Sequence, residues 1–236
     1  MPEQTAGTET IVRQYVNFIC YRIDPAWYEL EEEAKEKARE EYIKLLEAFM
    51  PLMILKSYST RGLRADVDFF LWRISETLEP FETMSSTLAQ TLLGRHLKTT
   101  YSFLSMTKRS MYVDKHVHAG EEASRTRVVP GDAKYLFIYP FVKTRQWYLL
   151  TKQERQQMMD EHIRIGHRYP SVKLNTTYSF GLDDQDFVLA FESDRPADFL
   201  DLVMELRETR SSLFTQRDTP TITGIQKPVQ DILASL

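Results

Sequence analysis

Cysteine is nearly absent from this sequence, and long apolar runs are absent altogether. Because Cys20 is the only cysteine, the 236-residue chain cannot form an internal disulfide, which fits a reducing compartment. Its apolar setting between Ile19 and Tyr21 favours a small core residue over a nucleophile. No apolar stretch approaches the roughly 20 residues of a membrane-spanning helix, and the first residues lack the pattern of a secretion signal. We therefore expect a cytoplasmic protein that does not enter a membrane.

An excess of charge of either sign is missing as well. The chain has 30 Lys and Arg against 34 Asp and Glu, a formal net charge of −4, and the basic residues are scattered. They form no stripe that could follow phosphates, so we expect no nucleic acid partner. The 42% hydrophobic content and the 27% charge are typical of a globular protein, and the length allows one large domain or two small ones.

What the sequence does contain is an internal repeat. In the first half, aromatic and β-branched runs alternate with amphipathic stretches in the order βαββαβ. The predicted elements are a strand at 15–21, a helix at 29–49, strands at 55–59 and 68–74, a helix at 80–97 and a strand at 101–106. The same order returns in the second half, from a strand at 135–141 to a helix at 197–213.

The two halves keep their spacing closely. Trp27-Tyr28 and Trp147-Tyr148 are 120 residues apart, Tyr58-Ser59 and Tyr178-Ser179 are also 120 apart, and Asp68-Phe69 and Asp186-Phe187 are 118 apart. The sequence thus predicts an α+β fold in which duplicated ferredoxin-like βαββαβ units form a dimeric α+β barrel within one chain. We assign residues 1–115 to the N-terminal half, 116–132 to a linker or flap, and 133–236 to the C-terminal half. The linker contains His116 and His118, either a solvated pair or an exposed metal site.

The two halves differ where chemistry is expected. Fifteen residues after the matched tryptophan stands Tyr42 in the first half and His162 in the second. The helix that carries His162 is well bounded, because Thr151 and Glu154 have the spacing of a capping box and Gly166 provides a stop.

The histidine shares a helix face with apolar residues. Met158, Met159 and Ile165 lie three or four residues from His162, so the imidazole points toward the sheet. Spacing alone favours a core histidine hydrogen-bonded to a neighbour. The alternative is an axial haem ligand, which suits a lone inward histidine better than a zinc site with its three or four protein ligands.

A second pair of polar residues lies on the strand before this helix. Tyr139 and Lys143 are four residues apart and share a face of the strand if the alternation survives Pro140. Without the histidine nearby, they would read as a packed tyrosine and a surface lysine.

Four segments of the second half together resemble a known family. They are YPFVKTRQWYLL, MMDEHIRIGHRYP, YSFGLDDQDFVLAF and FTQRDTPTITG, over about residues 134–224. As a set they are similar to the haem-binding half of the chlorite dismutase and coproheme decarboxylase superfamily. The first half fits the family's N-terminal half only by its pattern of elements.

The resemblance implies a homopentamer whose C-terminal half holds haem b or coproheme, with His162 bound to the iron. In the decarboxylase branch it implies that Tyr139 becomes a radical that attacks a propionate, that Lys143 contacts a propionate, and that Trp147 lines the cofactor. Arg217 matches an arginine with a structural or propionate role. A surface arginine is the alternative.

The resemblance breaks at the distal haem position. Chlorite dismutases have an arginine there and firmicute decarboxylases often a glutamine, whereas Lys173, Leu174 or Asn175 falls there in this chain. An arginine would steer chlorite and hold its product, so its absence weakens the dismutase interpretation.

Three functions follow in order of preference. The first is oxidative decarboxylation of coproheme to haem b with hydrogen peroxide. The second is conversion of chlorite to chloride and dioxygen, or a weak peroxidase activity. The third is haem binding or sensing without turnover.

Overall fold

The computed structural model describes residues 12–110, residue 112 and residues 127–236. The expected histidine pair of the linker, His116 and His118, lies outside the described residues. The described end of the predicted linker, residues 127–132, contains neither helix nor strand. Among the described residues, no helix has the length and apolar character needed to cross a membrane.

The first half follows the predicted order. Its elements are β1 (Tyr15–Ile23), a 3-10 turn (Pro25–Glu29), α1 (Glu32–Ala48), β2 (Ile54–Ser59), β3 (Phe69–Ser75), α2 (Glu79–Ala89), α3 (Leu92–Arg95) and β4 (Leu97–Met106). The single helix predicted at 80–97 is wrong, since it divides into α2 and α3. The reason is Thr91, whose extended backbone interrupts the helix while its side chain caps the amide of Gly94.

The second half repeats this order and adds a C-terminal helix. Its elements are β5 (Tyr135–Lys143), α4 (Arg145–Leu149), α5 (Lys152–Gly166), β6 (Lys173–Tyr178), β7 (Phe187–Ser193), α6 (Pro196–Arg207), a 3-10 turn (Arg210–Phe214), β8 (Thr215–Arg217), β9 (Ile222–Gln226) and α7 (Val229–Ala234). The helix predicted at 197–213 ends early, because Thr209 has an extended backbone and starts the 3-10 turn. The counterpart of β4 is divided into β8 and β9 around Pro220, which cannot donate to a strand ladder.

The strands close into a barrel. Their order is β7-β6-β4-β1-β3-β2-β9-β5-β8, and a further pairing of β5 with β7 joins the two ends while leaving β8 outside. All pairings between these strands are antiparallel. The two halves join where β2 pairs with β9 and where Met106 of β4 lies opposite Tyr178 of β6. The barrel predicted from the duplication is confirmed.

Most of the barrel interior is apolar, and it contains the cysteine. Phe18, Trp72 and Ile138 are buried there with Cys20, and burial raises the pKa of the Cys20 thiol. A thiol that stays protonated is a poor nucleophile, so the core interpretation of Cys20 holds.

The two helical layers outside the barrel differ in packing. Against the first half, α1 buries Ala38, Tyr42 and Leu46, and α7 from the C terminus adds Ile232 and Leu233 to the same core. Against the second half, none of the residues of α5 is fully buried. The fully buried core there comprises Phe137, Tyr139, Phe191 and Leu202. The second half therefore has the looser interface between helix and sheet, and the candidate site lies in it.

Candidate active site

Three packing positions of the first half carry reactive side chains in the second. At the constant separation of 120 residues, Ile19 corresponds to Tyr139, Ile23 to Lys143 and Tyr42 to His162. The first-half residues are all buried in one core between helices and sheet. Apolar packing at these positions does not require a phenol, an ammonium group or an imidazole. The polar residues of the second half therefore indicate a functional site.

The expected common face of Tyr139 and Lys143 is present. The pairing of β5 with β7 runs without a shift from Tyr135 to Phe141, so the alternation continues through Pro140. Tyr139 packs with Phe137 on the face toward the helices, and the Lys143 Nζ atom lies 5.2 Å from the centre of the Phe141 ring. Tyr139 therefore faces α5 and α6. Lys143 follows a register shift after Val142, and its Nζ atom lies on the same side of the sheet, next to the Phe141 and Trp147 rings.

His162 reaches this face from α5. Both hydrogen bonds of the predicted capping box between Thr151 and Glu154 are present, and the helix ends at Gly166 as predicted. Burial, together with the positive charge of Lys143, lowers the pKa of His162 to about 4. The imidazole is therefore neutral at physiological pH, which is the form that binds a metal.

The two nitrogen atoms of His162 have different surroundings. Nδ1 lies 3.5 Å from the Ser211 hydroxyl oxygen. Within the described part of the chain, Nε2 makes no hydrogen bond. One nitrogen is thus oriented by the protein and the other is available to a ligand.

Lys143 is not the surface lysine of the alternative interpretation. Its side chain is 8% exposed, its Nζ atom donates to the carbonyl oxygen of Ser211 at 2.7 Å, and it lies 4.6 Å from the centre of the Trp147 ring. Burial lowers its pKa to about 8. The site therefore contains a buried cation whose charge is only partly compensated.

The fold itself explains Trp147. Its ring is buried against Phe214 at 5.6 Å and Tyr112 at 6.5 Å. Trp27 is also buried at the matching position of the first half, where Tyr42 stands in place of His162. The tryptophan is needed in both copies and does not by itself indicate a cofactor.

Tyr139 is a buried phenol. It is 9% exposed and stacks on Phe191 with 5.7 Å between ring centres. Burial raises its pKa, and the negative charge of Asp218 adds to that effect. Within the described residues its hydroxyl makes no hydrogen bond. The phenol is thus protonated at physiological pH and free to interact with a ligand.

The three candidates on β6 point in two directions. Leu174 lies opposite Phe191 and so shares the face of Tyr139, with 46% of its surface exposed. Lys173 and Asn175 belong to the other face, where both contact the buried carboxylate of Glu192, at 3.1 and 2.8 Å. Leu174 is therefore the candidate on the same face as the phenol.

The structure does not place Arg217 in contact with Tyr139, Lys143 or His162. Its side chain is exposed, it donates to the backbone carbonyl of Asp184 at 3.4 Å, and it lies opposite Val142 on β5. Arg210 is also exposed and lies 3.5 Å from Glu161. Among the described residues, no hydrogen bond or ion pair joins either arginine to Tyr139, Lys143 or His162.

Comparison with known proteins decides the family. The family model described as chlorite dismutase matches residues 35–227, most of the chain. The chain belongs to the chlorite dismutase family. The resemblance inferred from the second half is thereby confirmed, and the match extends into the first half.

Two curated relatives have different activities in their names. A coproheme decarboxylase from Mycolicibacterium smegmatis is 34% identical over 183 residues, which is 76% of this chain and 75% of that protein. A chlorite dismutase from Ideonella dechloratans is 25% identical over 226 residues, which is 94% of this chain and 79% of that protein.

Solved structures agree with the fold of this family member. A mutant chlorite dismutase from Candidatus Nitrospira defluvii matches with a TM-score of 0.87 and 28% identity over 94% of both chains. The imidazole complex of the chlorite dismutase from the same organism matches with a TM-score of 0.85 and the same identity and coverage. The predicted fold class is confirmed.

The donor set of this family member fits an iron porphyrin. Among the described residues, no group of three His, Cys, Asp or Glu side chains could hold a metal ion. A single neutral imidazole with a free Nε2 suits a metal whose other ligands come from a macrocycle. Aromatic residues beside it supply an apolar wall, and Lys143 supplies a cation that suits an acidic periphery.

Sequence reasoning missed Ser211. It is buried beside His162, but it lies in a short 3-10 turn that no periodic pattern announces. One signal was available: at the 118-residue offset that relates Asp68 to Asp186, Ser211 corresponds to the fully buried Leu93. Here too the second half has a polar group where the first has a packing residue.

Proposed function

We propose that the chain is a haem-dependent oxidoreductase that decarboxylates coproheme to haem b with hydrogen peroxide. The observation that carries the proposal is that a buried phenol, Tyr139, lies on the same strand as Lys143, whose positive charge acts on the neutral imidazole of His162. The more similar of the two curated relatives is named coproheme decarboxylase, which supports the same reaction.

In this proposal the Nε2 atom of His162 would bind the iron, and Leu174 is among the residues of the sheet that would line the porphyrin. A bound iron porphyrin supplies the oxidising chemistry by passing electrons to hydrogen peroxide. For each propionate, the carboxylate side chain loses CO₂, one proton and two electrons to become a vinyl group, and one peroxide takes up these two electrons, that proton and one proton from solvent to give two waters.

Tyr139 is the proposed one-electron relay to the propionate. Because burial raises its pKa, the phenol keeps its proton until an electron is removed. In this proposal Tyr139 gives up one electron and its phenolic proton, and it recovers both by taking a hydrogen atom from the propionate side chain. The side chain then loses a second electron to the oxidant generated from peroxide, and CO₂ leaves as the vinyl group forms.

Lys143 has donors left for an acidic ligand. Its ammonium group has three N–H donors, of which one is directed to the carbonyl of Ser211. We propose that the remaining donors hold a propionate carboxylate. Trp147 completes the wall beside it, and a propionate role for Arg217 stays a prediction.

The test is to add coproheme and then hydrogen peroxide to the purified protein and to follow the porphyrin by mass spectrometry. We expect stepwise loss of two carboxyl groups through a three-propionate intermediate. Tyr139→Phe should still bind coproheme but stop converting it, because phenylalanine has no phenolic hydrogen to give up and recover.

Tyr135→Phe is the matched control, because Tyr135 lies four residues earlier on the same strand and packs on the same face. It should convert coproheme at the wild-type rate. Undiminished conversion by Tyr139→Phe would contradict the role of Tyr139. Binding of coproheme without conversion by the wild type would contradict the decarboxylase.

Chlorite dismutation is the second candidate, because the Ideonella relative has that name and covers 94% of this chain. Leu174, which lies opposite Phe191, is the distal residue in this proposal, and its apolar side chain cannot attract an anion as an arginine does. Release of dioxygen from chlorite by the haem-loaded chain would favour this candidate. Haem binding with neither product would favour a binding or sensing protein.

The assembly, the location and the division of the chain are part of the proposal. We propose a cytoplasmic homopentamer whose C-terminal half, residues 133–236, holds the cofactor, with residues 1–115 as the half without cofactor. Leu200 and Met204 on α6 are more than half exposed, and such apolar residues suit a subunit interface. Light scattering that gave a monomer would contradict the pentamer alone.

A further inference from the structure

We propose that the hydroxyl groups of Ser211 and Thr209 are positioning groups that fix the tautomer of His162, with the proton on Nδ1 and the lone pair on Nε2. The inference rests on the proposed function only in that Nε2 is taken as the atom that binds iron. It concerns the protein's own hydrogen bonds and can be tested without any porphyrin.

The direction of each hydrogen bond follows from counting the protons that the Thr209 and Ser211 hydroxyl groups can donate. The Thr209 hydroxyl donates its single proton to the carbonyl oxygen of Leu206, at 2.7 Å. The Ser211 and Thr209 hydroxyl oxygens are 3.0 Å apart, so Ser211 must be the donor in that contact. With its proton committed, Ser211 can only accept from His162, and Nδ1 must carry the hydrogen.

The hydrogen bond between His162 and Ser211 is long, but no other acceptor competes with it among the described residues. The distance of 3.5 Å between Nδ1 and the Ser211 oxygen is at the long end for a hydrogen bond. No carboxylate among the described residues competes for Nδ1, since the nearby Glu161 is directed at the backbone amide and side chain of Arg210. A neutral hydroxyl acceptor leaves the imidazole a less basic ligand than a carboxylate partner would.

The turn that carries Ser211 is held on both sides. The buried ammonium of Lys143 donates to the Ser211 carbonyl at 2.7 Å, and the amide of Thr144 donates to the carbonyl of Phe214 at 2.8 Å. The Ser212 hydroxyl oxygen lies 2.7 Å from the carbonyl oxygens of both Arg207 and Thr209, and it donates its single proton to one of them at a time. Ser211 is itself only 3% exposed, so water does not easily replace its hydroxyl.

The experiment is long-range ¹H–¹⁵N NMR of the full chain without porphyrin, labelled with ¹⁵N-histidine, near neutral pH. The spectrum separates the Nδ1–H from the Nε2–H tautomer of each ring. His162 is assigned by the signal lost in His162→Gln. His96 is an internal reference, because its Nδ1 lies 2.9 Å from the carbonyl oxygen of Leu92 and must carry a hydrogen to bond it.

We expect His162 of the wild type to give the Nδ1–H pattern. Ser211→Ala should move its signals toward the Nε2–H pattern, and Thr209→Val should do the same because the freed Ser211 proton can then turn to Nδ1. Ser212→Ala is the matched control, since it removes a hydroxyl from the same turn that does not face the ring. It should leave the tautomer unchanged.

Two outcomes would overturn the inference: an Nε2–H pattern for His162 in the wild type, or an unchanged Nδ1–H pattern in Ser211→Ala. The first needs no variant, so the test stands even if a variant fails to fold. A wild type that keeps the Nδ1–H pattern but does not convert coproheme would contradict the proposed function and leave this inference intact.

A second measurement tests the effect of the Ser211 hydroxyl on haem affinity. Loss of a metal ligand's hydrogen-bond partner lowers metal affinity by about 10-fold or more. Ser211→Ala should therefore bind haem about 10-fold more weakly than the wild type, while Ser212→Ala should match it. Equal haem affinity in all three proteins would count against Ser211 as a positioning residue.

Discussion

The reactive residues of the second half stand where the first half keeps packing residues, and this contrast is visible in the sequence. Comparison of the two copies was enough to single out His162, because its partner Tyr42 is a core residue. It could not give the environment of Lys143, which looks like a surface residue in the sequence and is buried in the structure. It could not find Ser211, because contacts between a short turn and a helix depend on tertiary packing.

Burial of Lys143 predicts a pH effect on stability. Its pKa is lowered from 10.5 to about 8 in the folded protein, so between these values the unfolded chain binds more protons. Stability attributable to this residue therefore rises with pH across that window, by on the order of 3 kcal/mol at full amplitude. Urea unfolding from about pH 7 to about pH 10 should show the free energy of unfolding of the wild type rising relative to that of Lys143→Met. Lys134→Met, which removes an exposed lysine beside the same strand, is the control. A parallel pH dependence of wild type and Lys143→Met would contradict the expectation.

At the scale of elements, the pattern of apolar residues predicted strands β1 to β7 and the long helices α1 and α5, whereas β8 and β9 were not predicted. Local backbone chemistry decided where the other helices begin and end. The capping box and the end of α5 were readable because they depend on neighbouring residues. The division between α2 and α3 and the early end of α6 depend on the extended backbones of Thr91 and Thr209, which periodicity does not report.

The capping box predicts how α5 depends on its first turn. Thr151→Ala removes the acceptor for the amide of Glu154, and we expect a loss of about 1 kcal/mol in the free energy of unfolding. Because no residue of α5 is fully buried, we also expect faster hydrogen exchange along the helix. Thr144→Ala is the matched control, since Thr144 precedes α4 without a side-chain cap. Exchange in α5 that did not differ between the two variants would show that packing alone holds the helix.

At the scale of the whole molecule, the two halves of the repeat share one core inside the barrel, although each half also has its own core beneath its helices. The strands of both halves contribute to one barrel interior, through β2 with β9 and β4 with β6. The last helix, α7, returns to the first half and completes its outer core. The sequence predicted the repeat and the barrel. It could not predict where α7 packs, because the apolar surface that α7 covers forms only when the first half has folded.

This arrangement predicts one cooperative unfolding transition that a change in α7 shifts as a whole. Ile232→Ala empties a position that is fully buried against the first-half core, and the expected cost is about 2–5 kcal/mol. Leu213→Ala is the control, because Leu213 also lies in the second half but is 80% exposed. Urea unfolding followed by tryptophan fluorescence and by circular dichroism should give coincident curves for both variants, with only the Ile232→Ala midpoint lowered. Two separate transitions in Ile232→Ala would show that the halves unfold independently, and residues 1–115 and 133–236 would then be separate folding units despite the shared barrel.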